Sequence, residues 1–155
     1  MCIRDRFNAT APELTDRLYI NMGGGKFQKV KQGLPDMPAS GSKVKAADYD
    51  GDGDLDLFVG GRSIPGKYPY PSRSYLLEYH QFRYTDVTAT VAPELFQSGI
   101  ITDFVWTDFN QDGQIDLVTV GEWMSPRFFQ NESGRFKEVT ERTGLTAWKL
   151  SLIHI

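Results

Sequence analysis

In the stretch "DYDGDGDLD", residues 48–56, an aspartate stands at every second position: Asp48, Asp50, Asp52, Asp54 and Asp56. Like charges at this density oppose a compact turn unless something neutralises them. A second stretch, "DFNQDGQID", begins 60 residues later, at Asp108 against Asp48. This recurrence constrains the fold most, because self-similarity at a fixed period marks a chain built of repeated supersecondary units. The match extends outward: "KVKAADYDGDGDLDLFVGG" parallels "DFVWTDFNQDGQIDLVTVGE". A pair of short segments follows each, "RSYLLEYHQFRYTDVT" and "PRFFQNESGRFKEVT", and "DRLYINMGGGKFQKV" near the start is a third copy of that pair. Each pair ends in an aromatic and, three residues on, a valine: Phe27/Val30, Tyr84/Val87 and Phe136/Val139. "TGL" at 143–145 echoes "QGL" at 32–34, as though another unit were beginning.

The unit reads as β throughout. "LDLFV" and "IDLVTV" alternate polar and apolar residues and are rich in β-branched and aromatic types. Gly, Asn and Ser turns divide the remaining short segments, and no 12-residue stretch carries a helical stripe. Strands are expected at 43–48, 55–60, 73–79 and 82–87, and again at 101–107, 115–121, 126–131 and 135–139. Four-stranded units at this spacing describe an all-β chain of β-propeller blades, each of four antiparallel strands. The expected organisation is the second half of a blade at 16–32, whole blades at 39–90 and 98–140, and the start of a next blade at 141–149. A closed propeller takes about 4 to 8 blades, so about two and a half blades read as part of a larger propeller whose other blades are natural partners. "MCIRDR" and "LSLIHI" resemble translated sequencing adapter. Residues 1–6 and 150–155 are therefore expected to be a non-native leader and tail, with Cys2 and His154 among them.

Composition narrows the partners. Hydrophobic residues make up 40% of the 155, enough for a globular core. A net charge of -3 speaks against a nucleic-acid partner. No apolar run approaches the ~18 residues a membrane span needs. One cysteine allows no disulfide within the chain.

Numbering each acidic stretch from its first aspartate puts oxygen-bearing side chains at positions 1, 3, 5, 7 and 9. In the first stretch these are Asp48, Asp50, Asp52, Asp54 and Asp56, with Gly53 at position 6; in the second they are Asp108, Asn110, Asp112, Gln114 and Asp116, with Gly113. Alternate oxygens at 1, 3 and 5, a glycine at 6 and a backbone carbonyl at 7 follow the logic of a loop curled around Ca²⁺. The Asp54/Gln114 difference suits a position that acts through its carbonyl. A hard cation taking about six to eight oxygens would cancel the repulsion. The loop is not an EF-hand: position 12 is Val59 or Thr119 rather than a bidentate glutamate, so Asp56 and Asp116 take the closing role.

The two loops, each followed by a hydrophobic strand, resemble FG-GAP repeats of the integrin-type β-propeller, also met as VCBS repeats. "VGGR…RSYLL", "TDFNQDGQIDLVTVGEW" and "FKEVTERTGL" are most similar to the subset related to cartilage acidic protein and the UnbV/ASPIC group. The resemblance covers residues 16–148. The Phe-Gly and Gly-Ala-Pro tripeptides that name the repeat are absent, and no UnbV/ASPIC-like segment is visible. It implies one Ca²⁺ held by Asp48, Asp50, Asp52, Asp56 and the Asp54 carbonyl, and a second held by Asp108, Asn110, Asp112, Asp116 and the Gln114 carbonyl. It also implies a secreted, surface-attached or periplasmic place and a role in adhesion or in binding a protein or glycan. Two other readings stay open: the propeller part of a secreted polysaccharide-acting enzyme with structural calcium, and a scaffold without its own ligand.

Other stretches carry plainer expectations. Trp123 in "GEWM" is expected to pack, with a ligand-facing Glu122–Trp123 pair as the alternative. "RSIPGKYPYPSRS", residues 62–74, is expected to be a loop packed on the propeller face, with Tyr68 and Tyr70 stacking on a sugar or partner as the alternative. "MGGGK", residues 22–26, lacks the spacing of a phosphate loop and is expected to be a hairpin turn. His80 has no His or Cys neighbour and reads as a surface residue. No catalytic constellation stands out, so the chain is read as a non-enzyme.

Overall fold

The computed structural model describes residues 16–37 and 39–146. The leader, the tail and residues 147–149 of the expected next blade lie outside the described residues. Among the described residues, ten strands form three antiparallel sheets. The first is a hairpin of β1 (Tyr19–Asn21) and β2 (Phe27–Lys29). The second contains β3 (Gly41–Ala47), β4 (Asp56–Gly61), β5 (Tyr75–His80) and β6 (Arg83–Asp86), paired in chain order. The third contains β7 (Ile100–Thr107), β8 (Asp116–Glu122), β9 (Arg127–Asn131) and β10 (Phe136–Glu138), paired in the same order. The fold is all-β, with the strand order of propeller blades, and each of the eight expected strands falls within two residues of its expected bounds.

Period-2 alternation decides which face each residue occupies. In the first four-stranded sheet, Phe58 and Leu76 face the second. Their neighbours Leu57, Val59, Tyr75 and Leu77 face the other way, onto Leu34 and Met37. Across the seam Phe58 meets Ile101, Phe104, Leu117 and Phe129. The Phe58 and Phe104 rings stand edge to face at 4.7 Å, and Trp106 adds a second edge contact at 6.2 Å. Each fully buried side chain of this kind contributes about 1.5–3 kcal/mol, so one continuous core holds the two sheets together. The strands β3 and β7 lie side by side at this seam, where Asp103 accepts from Lys43 at 2.6 Å and Lys45 at 2.9 Å.

The repeat is visible in backbone detail. The β3–β4 and β7–β8 ladders are both interrupted near their open end, after the first pair between Gly41 and Val44 and after the second between Ile101 and Asp103. Gly61 and Gly121 close β4 and the equivalent part of β8; a Cβ there would lie 2.4 Å from the Ser72 carbonyl oxygen and 2.0 Å from that of Ile100. Both units fasten their last strand alike. The Thr88 hydroxyl accepts the Leu76 N–H and donates to Asp86, while the Thr140 hydroxyl accepts the Phe128 N–H and donates to Glu138. Arg73 pairs with Asp86 and Arg127 with Glu138.

Three features depart from the all-strand reading of the sequence. A short helical turn at Thr88–Val91 and 3-10 turns at Pro93–Leu95 and Thr140–Thr143 follow the last strands. Pro93 opens its turn at the one position where a missing N–H costs nothing. Trp123, expected to pack, is 64% exposed. It sits just past β8 with φ of 61°, a left-handed backbone that turns its side chain off the sheet. Its indole N–H donates to the Tyr68 hydroxyl at 2.7 Å, which donates to Glu122 at 3.0 Å. Tyr68 and Tyr70 are likewise exposed, although the Tyr68 hydroxyl keeps the 62–74 loop bonded to the end of β8. "MGGGK" does form the β1–β2 turn, with Gly23, Gly24 and Gly25 all at positive φ, and His80 is exposed.

Candidate metal centre

Each acidic loop leaves the first strand of its unit and enters the second, so the pairing of β3 with β4 and of β7 with β8 fixes both ends. Between those ends the chain must curl within nine residues. Gly51 and Gly53 do so at φ of 80° and 92°; in the second loop Gln111 and Gly113 adopt 61° and 87°. The sequence reading singled out the position-6 glycine and missed position 4, where Gln111 carries a conformation that costs a non-glycine residue energy.

The aspartates organise the curl themselves. The two Asp48 oxygens accept the N–H groups of Gly51 at 2.8 Å and Gly53 at 3.1 Å. Asp50 accepts from Asp52 at 3.2 Å, and Asp52 from Asp54 at 2.8 Å. The second loop repeats this: Asp108 accepts from Asp112 at 3.1 Å and Gly113 at 2.9 Å, Asn110 from Asp112 at 3.0 Å, and Asp112 from Gln114 at 2.9 Å. Each carboxylate oxygen keeps a further lone pair, so shaping the turn does not use up the acceptors.

The loops differ in what they bring together. Asp48, Asp50 and Asp56 each offer an oxygen, and the three lie within 4.8 Å of one another. Among the described residues this is the group of three acidic side chains so arranged. Asp56 is decisive. It is 1% exposed, its Oδ1 accepts the Tyr79 N–H at 2.8 Å, and its Oδ2 is buried with no hydrogen-bond partner. Burial pushes its carboxyl up to about 6, against the Tyr79 hydrogen bond and a nearby Tyr49 N–H that lies outside hydrogen-bond geometry to Oδ2, with the Asp50 and Asp52 charges adding to the rise. A buried carboxylate oxygen without a partner is costly, and a cation is the partner that this donor set fits. Asp52 and Asp54 are exposed and stand beside the cluster rather than in it.

In the second loop the closing aspartate is satisfied. Asp116 Oδ1 accepts the Asn131 N–H at 2.7 Å and Oδ2 accepts the Phe109 N–H at 3.2 Å. Burial still raises its carboxyl. The Asn110 side-chain amide donates to Asp112 at 2.7 Å, and the Gln114 N–H holds the Asp112 carboxyl below its ordinary range. Gln114 also uses its side chain, accepting the Ser133 N–H at 2.6 Å. The five oxygen-bearing residues of this loop thus largely satisfy one another and the neighbouring hairpin.

Sequence reasoning missed Asn131. Its side-chain amide donates to the Tyr49 carbonyl at 2.6 Å, inside the first loop, and to the Ile115 carbonyl at 3.0 Å, inside the second. "FQNESG" reads as a strand running into a turn, and nothing local signals a bond to a residue 82 positions away. Aligning the two loops by their closing aspartates also exposes an insertion. Asp56 meets Tyr79 after 23 residues and Asp116 meets Asn131 after 15, so the first unit holds eight more residues, in the Pro/Tyr-rich loop.

A family model described as FG-GAP-like repeat matches residues 6–59, which take in the first acidic loop and most of β4. The match supports the FG-GAP repeat family for that part of the chain. No curated protein and no solved structure matches the chain.

Proposed function

We propose that the chain is a calcium-binding β-propeller repeat module that works outside the cell or at its surface, in adhesion to a protein or glycan partner. The observation that carries this reading is the convergence of Asp48, Asp50 and Asp56 with a buried, unpartnered Asp56 oxygen. Those three would hold the ion, with Asp52 and the Asp54 carbonyl as further donors. A bound Ca²⁺ supplies positive charge and about six to eight coordination positions, with no redox chemistry. An all-oxygen, flexible, acidic loop suits Ca²⁺ better than Mg²⁺, which wants a tight octahedron and gives up water reluctantly. Loops of this class bind in the ~10⁻⁴–10⁻³ M range in extracellular modules, which favours a calcium-rich outer compartment. The second loop, through Asp108, Asn110, Asp112, Asp116 and the Gln114 carbonyl, is the weaker site. The role is binding rather than catalysis, and the ion's part is structural.

Two experiments test this. Calcium titration of chelated protein should give a site that Asp50→Ala removes. A panel of immobilised glycans and surface proteins should then retain the chain in Ca²⁺ and release it in chelator. Retention that ignores chelator would separate the binding role from the metal and refute their link.

A further inference from the structure

Tyr49 lies between two of the clustered aspartates, Asp48 and Asp50, and is held at three points. Its ring is buried and packs at 5.4 Å on Phe136 of β10. Its hydroxyl donates to Glu78 of β5 at 3.2 Å. Its carbonyl accepts the Asn131 amide at 2.6 Å. Two of these three tethers come from the other four-stranded sheet.

Asn131 is 0% exposed and its side chain is fully used. One amide hydrogen goes to Tyr49 and one to Ile115, while its oxygen accepts the Gly134 N–H at 2.8 Å. The hairpin that Asn131 opens rests on the first loop: a Cβ on Gly134 would lie 3.6 Å from the Asp50 Cβ. Holding Asn131 within its own sheet needs only Ile115, Asp116 and Gly134. The bond to Tyr49 crosses the seam.

The Tyr49 carbonyl belongs to the peptide plane that joins Tyr49 to Asp50. That plane is rigid, so fixing its oxygen restricts the rotation that aims the Asp50 side chain. A carboxylate aimed in advance loses less freedom when it takes an ion. The linkage is reciprocal: whatever holds Asp50 also favours the Asn131–Tyr49 bond.

We propose that Asn131 is a positioning residue for the metal loop of the neighbouring sheet, so that calcium at Asp48, Asp50 and Asp56 clamps the seam between the two sheets. This rests on the calcium reading of the first loop. The test uses the full chain carrying Asp112→Ala, which disables the second loop, with and without Asn131→Leu. Calorimetry should show calcium affinity three- to tenfold weaker in the Asn131→Leu protein. Unchanged affinity, with a melting temperature lowered equally in Ca²⁺ and in chelator, would mean that Asn131 only packs, and would overturn the proposal. Hydrogen exchange on the Asp112→Ala chain alone gives a second reading that survives if the leucine variant does not fold. Ca²⁺ should slow amide exchange at 131–135 as well as at 48–56. Slowing confined to 48–56 overturns the clamp and leaves the metal site standing. No response in either segment overturns the metal reading, and this inference with it.

Discussion

Asp56→Asn should reverse its effect on stability with calcium. The amide keeps an oxygen for the Tyr79 N–H, which Asp56 accepts at 2.8 Å. Its neutral amide nitrogen replaces the buried, unpartnered Oδ2, beside the Asp48 and Asp50 carboxylates, whose nearest oxygens cluster with that of Asp56 within 4.8 Å. In chelator the substitution removes an unsatisfied buried charge, a gain of about 1–3 kcal/mol. In Ca²⁺ it removes a ligand. At free Ca²⁺ of about 100 times Kd, the wild-type site adds about 2.7 kcal/mol. For a chain of this size that is a rise of about 5–11 °C, most of which the variant should lose. Thermal unfolding followed by circular dichroism in chelator and in saturating Ca²⁺ gives the four melting temperatures needed. The variant should melt above wild type in chelator and below it in Ca²⁺. A shift of the same sign and size in both media would refute the reasoning, because Asp56 would then serve only the β4–β5 connection.

Asp50→Ala should cost more calcium-dependent stability than Asn110→Ala, since Asp50 belongs to the three-carboxylate cluster and Asn110 already bonds Asp112; paired melts in Ca²⁺ and chelator rank the two. Glu138 gives a pH signature: its bond to Arg127 is the main cause holding its carboxyl below the ordinary range. Stability from that ion pair is therefore present above the ordinary glutamate value of ~4.3 and lost as pH falls through the lowered one. Urea unfolding at pH 3–7 should show Glu138→Gln less stable by about 1 kcal/mol at pH 7, the gap closing in acid. Gly61→Ala should destabilise by about 3 kcal/mol, because its Cβ would meet the Ser72 carbonyl oxygen at 2.4 Å; an unchanged urea midpoint would show that the loop simply moves.

The sheets were legible because each strand is a local pattern. "LDLFV" and "IDLVTV" read as strands, and the pleat puts Phe58 of one and Leu117 of the other on the faces that meet in the shared core. The curl of the loops was legible because glycine at position 6 and aspartates that accept nearby N–H groups both favour a tight turn. What escaped was set by contacts distant in sequence. Nothing near Asn131 announces Tyr49. The number of carboxylates in the second loop does not reveal that both Asp116 oxygens are taken by the Asn131 and Phe109 N–H groups. Trp123 was misjudged for a different reason. Burial is the usual fate of tryptophan, but a left-handed residue at a strand end faces outward, and φ is not written in "GEWM". The short turns after β6 and β10 grow from the Thr88 and Thr140 hydroxyl bonds, whose signature, an acid, a valine and a threonine, stands in both "DVT" and "EVT".

The most direct measurement is calorimetric titration of the chelated chain with Ca²⁺ and, separately, with Mg²⁺. A Ca²⁺ site is expected that is tighter than any Mg²⁺ site, is removed by Asp50→Ala and survives Asp112→Ala. Absence of Ca²⁺ heat at millimolar concentration, Mg²⁺ binding as tight as Ca²⁺, or a site indifferent to Asp50 would contradict the calcium reading.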